Sequence, residues 1–113
     1  MKRGDIFYAN LNPTIGSEIA KIRPVLIVSN DINNRMASTV TVLPITSNTI
    51  KVYPFEVFIS KNESGLPEDS KIQAQQIRTI SKQRLKGDRI FTLNQNIMTI
   101  VDMAIKLHLG LNP

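Results

Sequence analysis

Apolar residues in this chain recur in short alternating or β-branched runs, separated by segments rich in Asn, Pro, Gly and Ser. The densest run is residues 22–28, Ile-Arg-Pro-Val-Leu-Ile-Val, closed by Ser29-Asn30-Asp31. It predicts a short strand buried on both faces. Pro24 has no N–H to give a ladder, so it is expected as the first residue of that strand. Residues 5–9 predict an earlier strand led in by Gly4. Residues 39–43 alternate Thr with Val and predict another, with Pro44 ending its regular pairing and residues 45–48 following as a hydroxyl-rich turn. Residues 54–59 predict a fourth strand. Residues 71–75 and 77–80 predict one strand broken near Gln76, and residues 89–93 a last one.

Between the first two strands, residues 10–21 carry turn chemistry at Asn12-Pro13-Thr14 and Gly16-Ser17-Glu18. A connection of that length in a small domain is more often functional than idle. Asn30-Asp31 offers a cap for a turn of helix over 32–36, with Asp31 read as a cap rather than a catalytic acid. Residues 61–69 read as a loop whose Glu63, Glu68 and Asp69 are solvated charges, and residues 81–85 as a polar turn. The chain closes with its one convincing helix. Asn94 is its N-cap, Ile97, Ile100, Val101, Ala104 and His108 repeat at helical spacing, Gly110 sits at the C′ position, and Pro113 cannot continue it. Met98, Met103, Ile105, Leu107 and Leu109 extend apolar surface around most of the helix. One face must cover the sheet; the remainder is left to a second chain or to a sheet that curls around the helix. The sum is a single α+β domain over 1–113: a strongly twisted, mostly antiparallel sheet or small barrel with a C-terminal helix.

At 113 residues the chain is long enough for one hydrophobic core. It has no cysteine, which excludes disulfides, thiol nucleophiles and thiolate metal sites and fits a cytoplasmic protein. Met1-Lys2-Arg3 runs directly into a strand pattern, so no secretory signal is expected, and no apolar run approaches a membrane span. The net charge of +5 is local: residues 71–89 hold Lys71, Arg78, Lys82, Arg84, Lys86 and Arg89 against Asp88 alone, while the rest of the chain balances. A local basic field suits a polyanion. The same run also fits a solvated Lys/Arg face.

Arg23 stands out among the candidate chemistry. The residue before a proline is driven into an extended conformation, which narrows the directions its side chain can take. A permanently charged fork with five donors at a strand end suits an oxyanion, and equally a surface carboxylate partner. His108, the one histidine, is read as packing or meeting the helix dipole. No Cys/His cluster, HExxH, phosphate-cradling Gly-rich loop or GxSxG occurs. Histidine-pair ribonuclease chemistry and a zinc site are thereby excluded. What remains near the turns is Arg23, Thr46, Ser47, Ser17, Glu18, Asn30, Gln76 and Arg78, a set rich in donors and poor in bases.

Gly4-Asp5-Ile6, Asn12-Pro13-Thr14, Gly16-Ser17-Glu18, Arg23-Pro24-Val25-Leu26, Asn30-Asp31, Ile45-Thr46-Ser47 and Gln76-Ile77-Arg78-Thr79-Ile80 occur in one order with fitting spacings. Together, across nearly the whole chain, they resemble the MazF/PemK family of toxin endoribonucleases. The resemblance implies a small SH3-like barrel of the CcdB/PemK type with a C-terminal helix, and a homodimer. It implies cleavage of single-stranded RNA at short motifs without metal or cofactor, inhibiting translation and growth. It also implies a cognate MazE-like antitoxin whose extended acidic segment fills the RNA channel. Arg23 and Thr46 match the family's catalytic arginine and threonine. Ser17, Glu18, Asn30, Ser47, Tyr53, Pro54, Gln76 and Arg78 match positions on the RNA channel, where amide and carboxylate edges read unstacked bases and Tyr53 stacks. Two departures accompany the match. Ala20-Lys21 stands where relatives often carry Gly-Gly, and Gln75 where many carry an acid. Two other readings remain, the first by likeness to another toxin family of the same fold and the second allowed by composition alone. A gyrase-poisoning toxin like the CcdB family is disfavoured by the lack of tryptophan and by the Leu111-Asn112-Pro113 end. The other is a catalytically silent RNA-binding module.

Overall fold

The run around Leu26 is a strand because its side chains have a core to enter on either side. Val25, Leu26 and Ile27 have no solvent exposure. Leu26 packs with Ile6, Leu43, Ile45, Met98 and Val101, whereas Val25 and Ile27 pack with Ala9, Leu11, Val40 and Val42. The two-residue period of a strand sends alternate side chains to opposite faces, so one sheet separates two apolar clusters.

The computed structural model describes residues 1–112; Pro113, read above as a stop to the helix, lies outside the described residues. The element order is β1 (Asp5–Asn10), β2 (Ile22–Ile27), α1 (Asp31–Met36), β3 (Thr39–Thr46), β4 (Glu56–Ile59), α2 (Lys61–Ser64), β5 (Ser70–Gln73), β6 (Arg78–Ser81), β7 (Leu85–Thr92) and α3 (Gln95–Leu109). The strands form an antiparallel sheet in the order β4-β5-β3-β2-β1-β7, with β6 also paired to β3. The expected barrel does not close by hydrogen bonds, since β4 and β7 end this path. Packing bridges the gap instead. Gly65, the left-handed C-cap of α2, sits so close to β7 that a Cβ on it would stand 3.0 Å from Phe91 Cδ1.

Several boundaries differ from the sequence pattern for identifiable reasons. Pro24 is the third residue of β2, not the first. It pairs with Tyr8 of β1, but registered pairs with β3 begin only at Val25, so this stretch is an edge where a missing N–H is tolerated. Pro44 does not end β3, and Ile45 and Thr46 belong to the strand rather than to a turn. β3 pairs with β6 from Thr39 to Val42 and with β5 at Ile45 and Thr46, and Pro44 falls in the gap between those partners. The break near Gln76 is a 3-10 turn over Ala74–Gln76 that separates β5 from β6. β7 begins at Leu85, because an edge strand tolerates the polar residues that hid its start.

Residues 61–69 hold a helical turn, α2, in place of a plain loop. Ser60 and Glu63 form a capping box and Asp69 Oδ1 accepts the Lys61 N–H at 2.9 Å, so two of the three carboxylates read as solvated are hydrogen-bonded to backbone. At α1 the capping side chain is Asn30, which accepts from Asn33 N; Asp31 instead accepts from the Arg3 N–H at 2.8 Å.

α3 carries the Asn94 cap and the left-handed Gly110 end that its sequence predicts. Its buried residues are Ile97, Met98, Val101 and Ala104. Ile100 is 53% exposed and His108 is exposed against the Phe55 ring, 6.4 Å between centroids. The contact face is therefore rotated toward Met98, which leaves Ile100, Met103 and Leu107 as an uncovered apolar flank. No helix among the described residues is long and apolar enough to cross a membrane.

Candidate active site

Arg23 and Thr46 lie on neighbouring strands, β2 and β3. The β2–β3 ladder pairs Val25 with Pro44, Leu26 with Leu43 and Ile27 with Val42. The registered pairs stop there, and Arg23 and Thr46 each lie two residues beyond the last of them on their own strands. Each is also held from its other side, Arg23 by its pairing with Ala9 and Thr46 by its pairing with Lys71. Arg23 is half-buried, and its Nε donates to Ala20 O at 3.1 Å. Thr46 is 9% exposed; its Oγ1 accepts from Asn48 N at 3.2 Å and keeps its own proton to donate. Arg23 and Ser47 also line a cleft of about 200 Å³ with Tyr8, Pro24, Glu68 and Ser70.

The loop between β1 and β2 is lashed down rather than loose. Leu11 N donates to Lys21 O at 2.9 Å and Lys21 N donates to Asn12 Oδ1 at 3.1 Å, closing its neck. Gln76 holds the middle: its Nε2 donates to Ser17 O and its Oε1 accepts from Ile19 N, both at 3.3 Å. Arg78 Nη1 donates to Leu11 O at 3.1 Å. Glu18 closes a local turn, its Oε1 accepting from Ile15 N at 3.2 Å. Ser17, Glu18, Gln76 and Arg78 thus gather around one loop, which leads directly into Arg23.

The profile of PemK-like, MazF-like toxins of type II toxin-antitoxin systems matches residues 2–109. The chain belongs to this family. Among its curated relatives, the endoribonuclease MazF9 of Mycobacterium tuberculosis is 43% identical, with 98% of each chain covered. The endoribonuclease EndoA of Bacillus subtilis is 44% identical over 98% of this chain and 96% of its own. A solved mycobacterial endoribonuclease, in complex with its cognate antitoxin, shares the fold with TM-score 0.81 and 25% identity over 100% of this chain and 98% of its own. The crystal structure of MazF from Deinococcus radiodurans matches the fold at TM-score 0.84, with 22% identity and 98% and 97% of the two chains covered.

Not every MazF-like position that the sequence singles out lies on the loop. Asn30 spends its side-chain oxygen on the α1 cap and lines a separate cavity with Arg3, Thr41 and Asp102. Tyr53 is 41% exposed and stacks on Phe55, with centroids 5.4 Å apart and planes 9° from parallel. Lys51 Nζ sits 4.8 Å from the Tyr53 centroid, a cation–π contact. Pro54 borders the groove beside α3. The basic segment is also more differentiated than its count. Arg78, Lys82 and Arg84 donate to backbone carbonyls of Leu11, Asn34, and Asn10 with Asn12, which fixes each cation without cancelling its charge. Lys71 and Arg89 face carboxylates, at 2.9 Å from Glu56 and 3.9 Å from Asp5.

Strand alternation conceals one polar centre. Glu56 is buried while Phe58, two residues on, is 49% exposed. Four donors surround the Glu56 carboxylate: Lys71 Nζ and Tyr53 N on Oε1, and the Gln73 and Gln75 amides on Oε2. Burial alone pushes its pKa up; the hydrogen bonds from Tyr53, Gln75, Lys71 and Gln73 outweigh that and hold it below the ordinary carboxylate value. Gln75, the departure from the family pattern, is thereby a ligand of a buried carboxylate. The sequence places Glu56 in the strand expected over 54–59 and Lys71 in the basic segment, and nothing in their spacing joins them. Among the described residues no three His, Cys, Asp or Glu side chains gather at one place.

Proposed function

We propose that this chain, an endoribonuclease toxin of a toxin-antitoxin pair, cuts single-stranded RNA without a metal by driving a ribose 2′-OH onto the adjacent phosphorus. The O2′–P bond forms as the P–O5′ bond breaks, leaving a 2′,3′-cyclic phosphate and a 5′-OH end. Negative charge grows on the non-bridging oxygens, and donors already aimed at it lower the barrier. Arg23 supplies a bidentate charge that cannot be neutralised, the Thr46 hydroxyl a further donor, and Ser47 a polar wall of the adjoining cleft. Need of the 2′-OH as nucleophile spares DNA.

Single-stranded RNA runs past the β1–β2 loop, where Ser17, Glu18, Gln76 and Arg78 meet, and toward Asn30 and the exposed ring of Tyr53 with Pro54. Unstacked bases find amide edges at the first place and a stacking surface at the second. A MazE-like antitoxin inhibits by laying an extended acidic segment along the same RNA path, and a mycobacterial relative solved with its cognate antitoxin supports that partner. A second copy covers the α3 flank, where Ile100, Met103, Leu107 and Leu111 are each more than half exposed beside Pro54 and Val57 along a groove of about 560 Å³. The site of action is the cytoplasm, where messenger RNA and antitoxin are made.

The observation that supports the reading is that Arg23 and Thr46 each stand two residues past the last β2–β3 pair, on adjacent strands, with Arg23 at the foot of a pinned loop. The test is incubation of purified protein with defined single-stranded RNA in EDTA. Discrete cuts ending in cyclic phosphate, absent when the cut nucleotide is 2′-deoxy, are expected; intact RNA overturns the proposal.

A further inference from the structure

We propose that Arg84 is a positioning residue of the nuclease site, acting on Arg23 through the root of the β1–β2 loop; the inference rests on the nuclease reading above. Arg84 Nη1 donates to Asn10 O at 3.1 Å and to Asn12 O. The carbonyl between them, Leu11 O, accepts from Arg78 Nη1 at 3.1 Å. Two guanidiniums thus hold three consecutive carbonyls. Along an extended chain, carbonyls two residues apart share a side and the intervening one turns away, so one fork takes Asn10 and Asn12 and a second is needed for Leu11.

The same residues form the loop's neck. Leu11 N binds Lys21 O, and Asn12 Oδ1 binds Lys21 N. Lys21 is held at φ 73°, a left-handed conformation that residues with a Cβ disfavour. It stays there because its N–H and C=O are both tied to the segment that Arg84 and Arg78 anchor. Arg23 leaves the backbone two residues later with its Nε on Ala20 O, inside the loop. A continuous chain of bonds therefore runs from Arg84 through Asn12 and Lys21 to the turn that aims Arg23. Counted only as a charge, Arg84 would be one more phosphate contact in the basic segment; its bonds to two carbonyls of the loop root make it a clamp.

Wild type, Arg84→Lys and Arg84→Ala are compared in three measurements. The first is single-turnover cleavage at saturating RNA. The second is binding of a 2′-O-methyl RNA, which cannot be cut, across a salt series. The third is amide hydrogen exchange at Leu11 and Lys21. A clamp predicts that both variants cut at least about tenfold more slowly, since small misplacements of a catalytic group are costly. It also predicts faster exchange at both amides, and for Arg84→Lys an unchanged salt slope. A phosphate contact predicts the reverse: rates near wild type at saturation, and a salt slope lowered by about one in Arg84→Ala and restored by lysine. That outcome, or unchanged exchange in both variants, overturns the inference. If Arg84→Ala does not fold, Arg84→Lys alone decides. A wild type that leaves RNA intact overturns the nuclease reading, and the exchange data still decide whether the clamp exists.

Discussion

Lys71 Nζ lies 2.9 Å from Glu56 Oε1, with the carboxylate side chain 1% exposed and the lysine side chain 10% exposed. The pair organises the segment that presents Tyr53, because Lys71 also donates to Lys51 O at 2.6 Å and Glu56 accepts from Tyr53 N at 3.0 Å. Removing one partner leaves a buried charge without its counter-ion, so Lys71→Met is expected to lower stability by about 3 kcal/mol. Urea unfolding at neutral pH measures it; a loss under about 1 kcal/mol would place the pair among weak surface bridges.

The same carboxylate sets an acid limit. Its folded pKa is below the ordinary 4.5. Its contribution is therefore complete above the unfolded value and is lost as pH falls through the lower folded one. Unfolding midpoints at pH 7 and pH 3 are expected to drop further apart in wild type than in Glu56→Gln. Equal drops in the two proteins would remove Glu56 from the acid response.

Lys21 occupies a backbone position that glycine suits. Lys21→Gly relieves the left-handed strain but loosens the unfolded chain, so the net expectation is a gain of up to about 1 kcal/mol. Lys21→Val, β-branched at the same φ, is expected to lose at least about 1 kcal/mol. Thermal melts of the two variants rank them; a more stable valine variant would contradict the assigned conformation.

The exposed flank of α3 predicts the oligomeric state. Leu107→Glu is expected to turn a dimer into a monomer in sedimentation equilibrium while leaving the far-UV spectrum unchanged, since Leu107 is 57% exposed within one chain. A dimer that survives the substitution would place the interface elsewhere.

Much of the fold was legible because its signals are local. The Val25–Ile27 run, the alternation at Thr39–Val42 and the Asn94 and Gly110 ends of α3 each state their element within a few residues. The Ser60-x-x-Glu63 capping box is equally local, but the glycine and proline that follow it give residues 61–69 the composition of a loop. Pro24 and Pro44 misled for a different reason: whether a missing N–H matters depends on which neighbour lies beside it, and that neighbour is distant in sequence. At the site, Arg23 announced itself through Pro24. Arg84, Lys21 and the Glu56 network did not, because a count of charges cannot separate a cation that meets phosphate from one that ties down a carbonyl.

The central claim is that Arg23 stabilises charge gathering on phosphorus, and the Arg23→Lys variant addresses it most directly. Single-turnover cleavage of a defined single-stranded RNA in EDTA is measured for wild type and variant at saturating RNA. Loss of a fork that meets two oxygens is expected to slow cutting by about a hundredfold or more, with fold and RNA affinity preserved. A lysine variant that cuts within about threefold of wild type would reduce Arg23 to simple charge attraction and contradict the account.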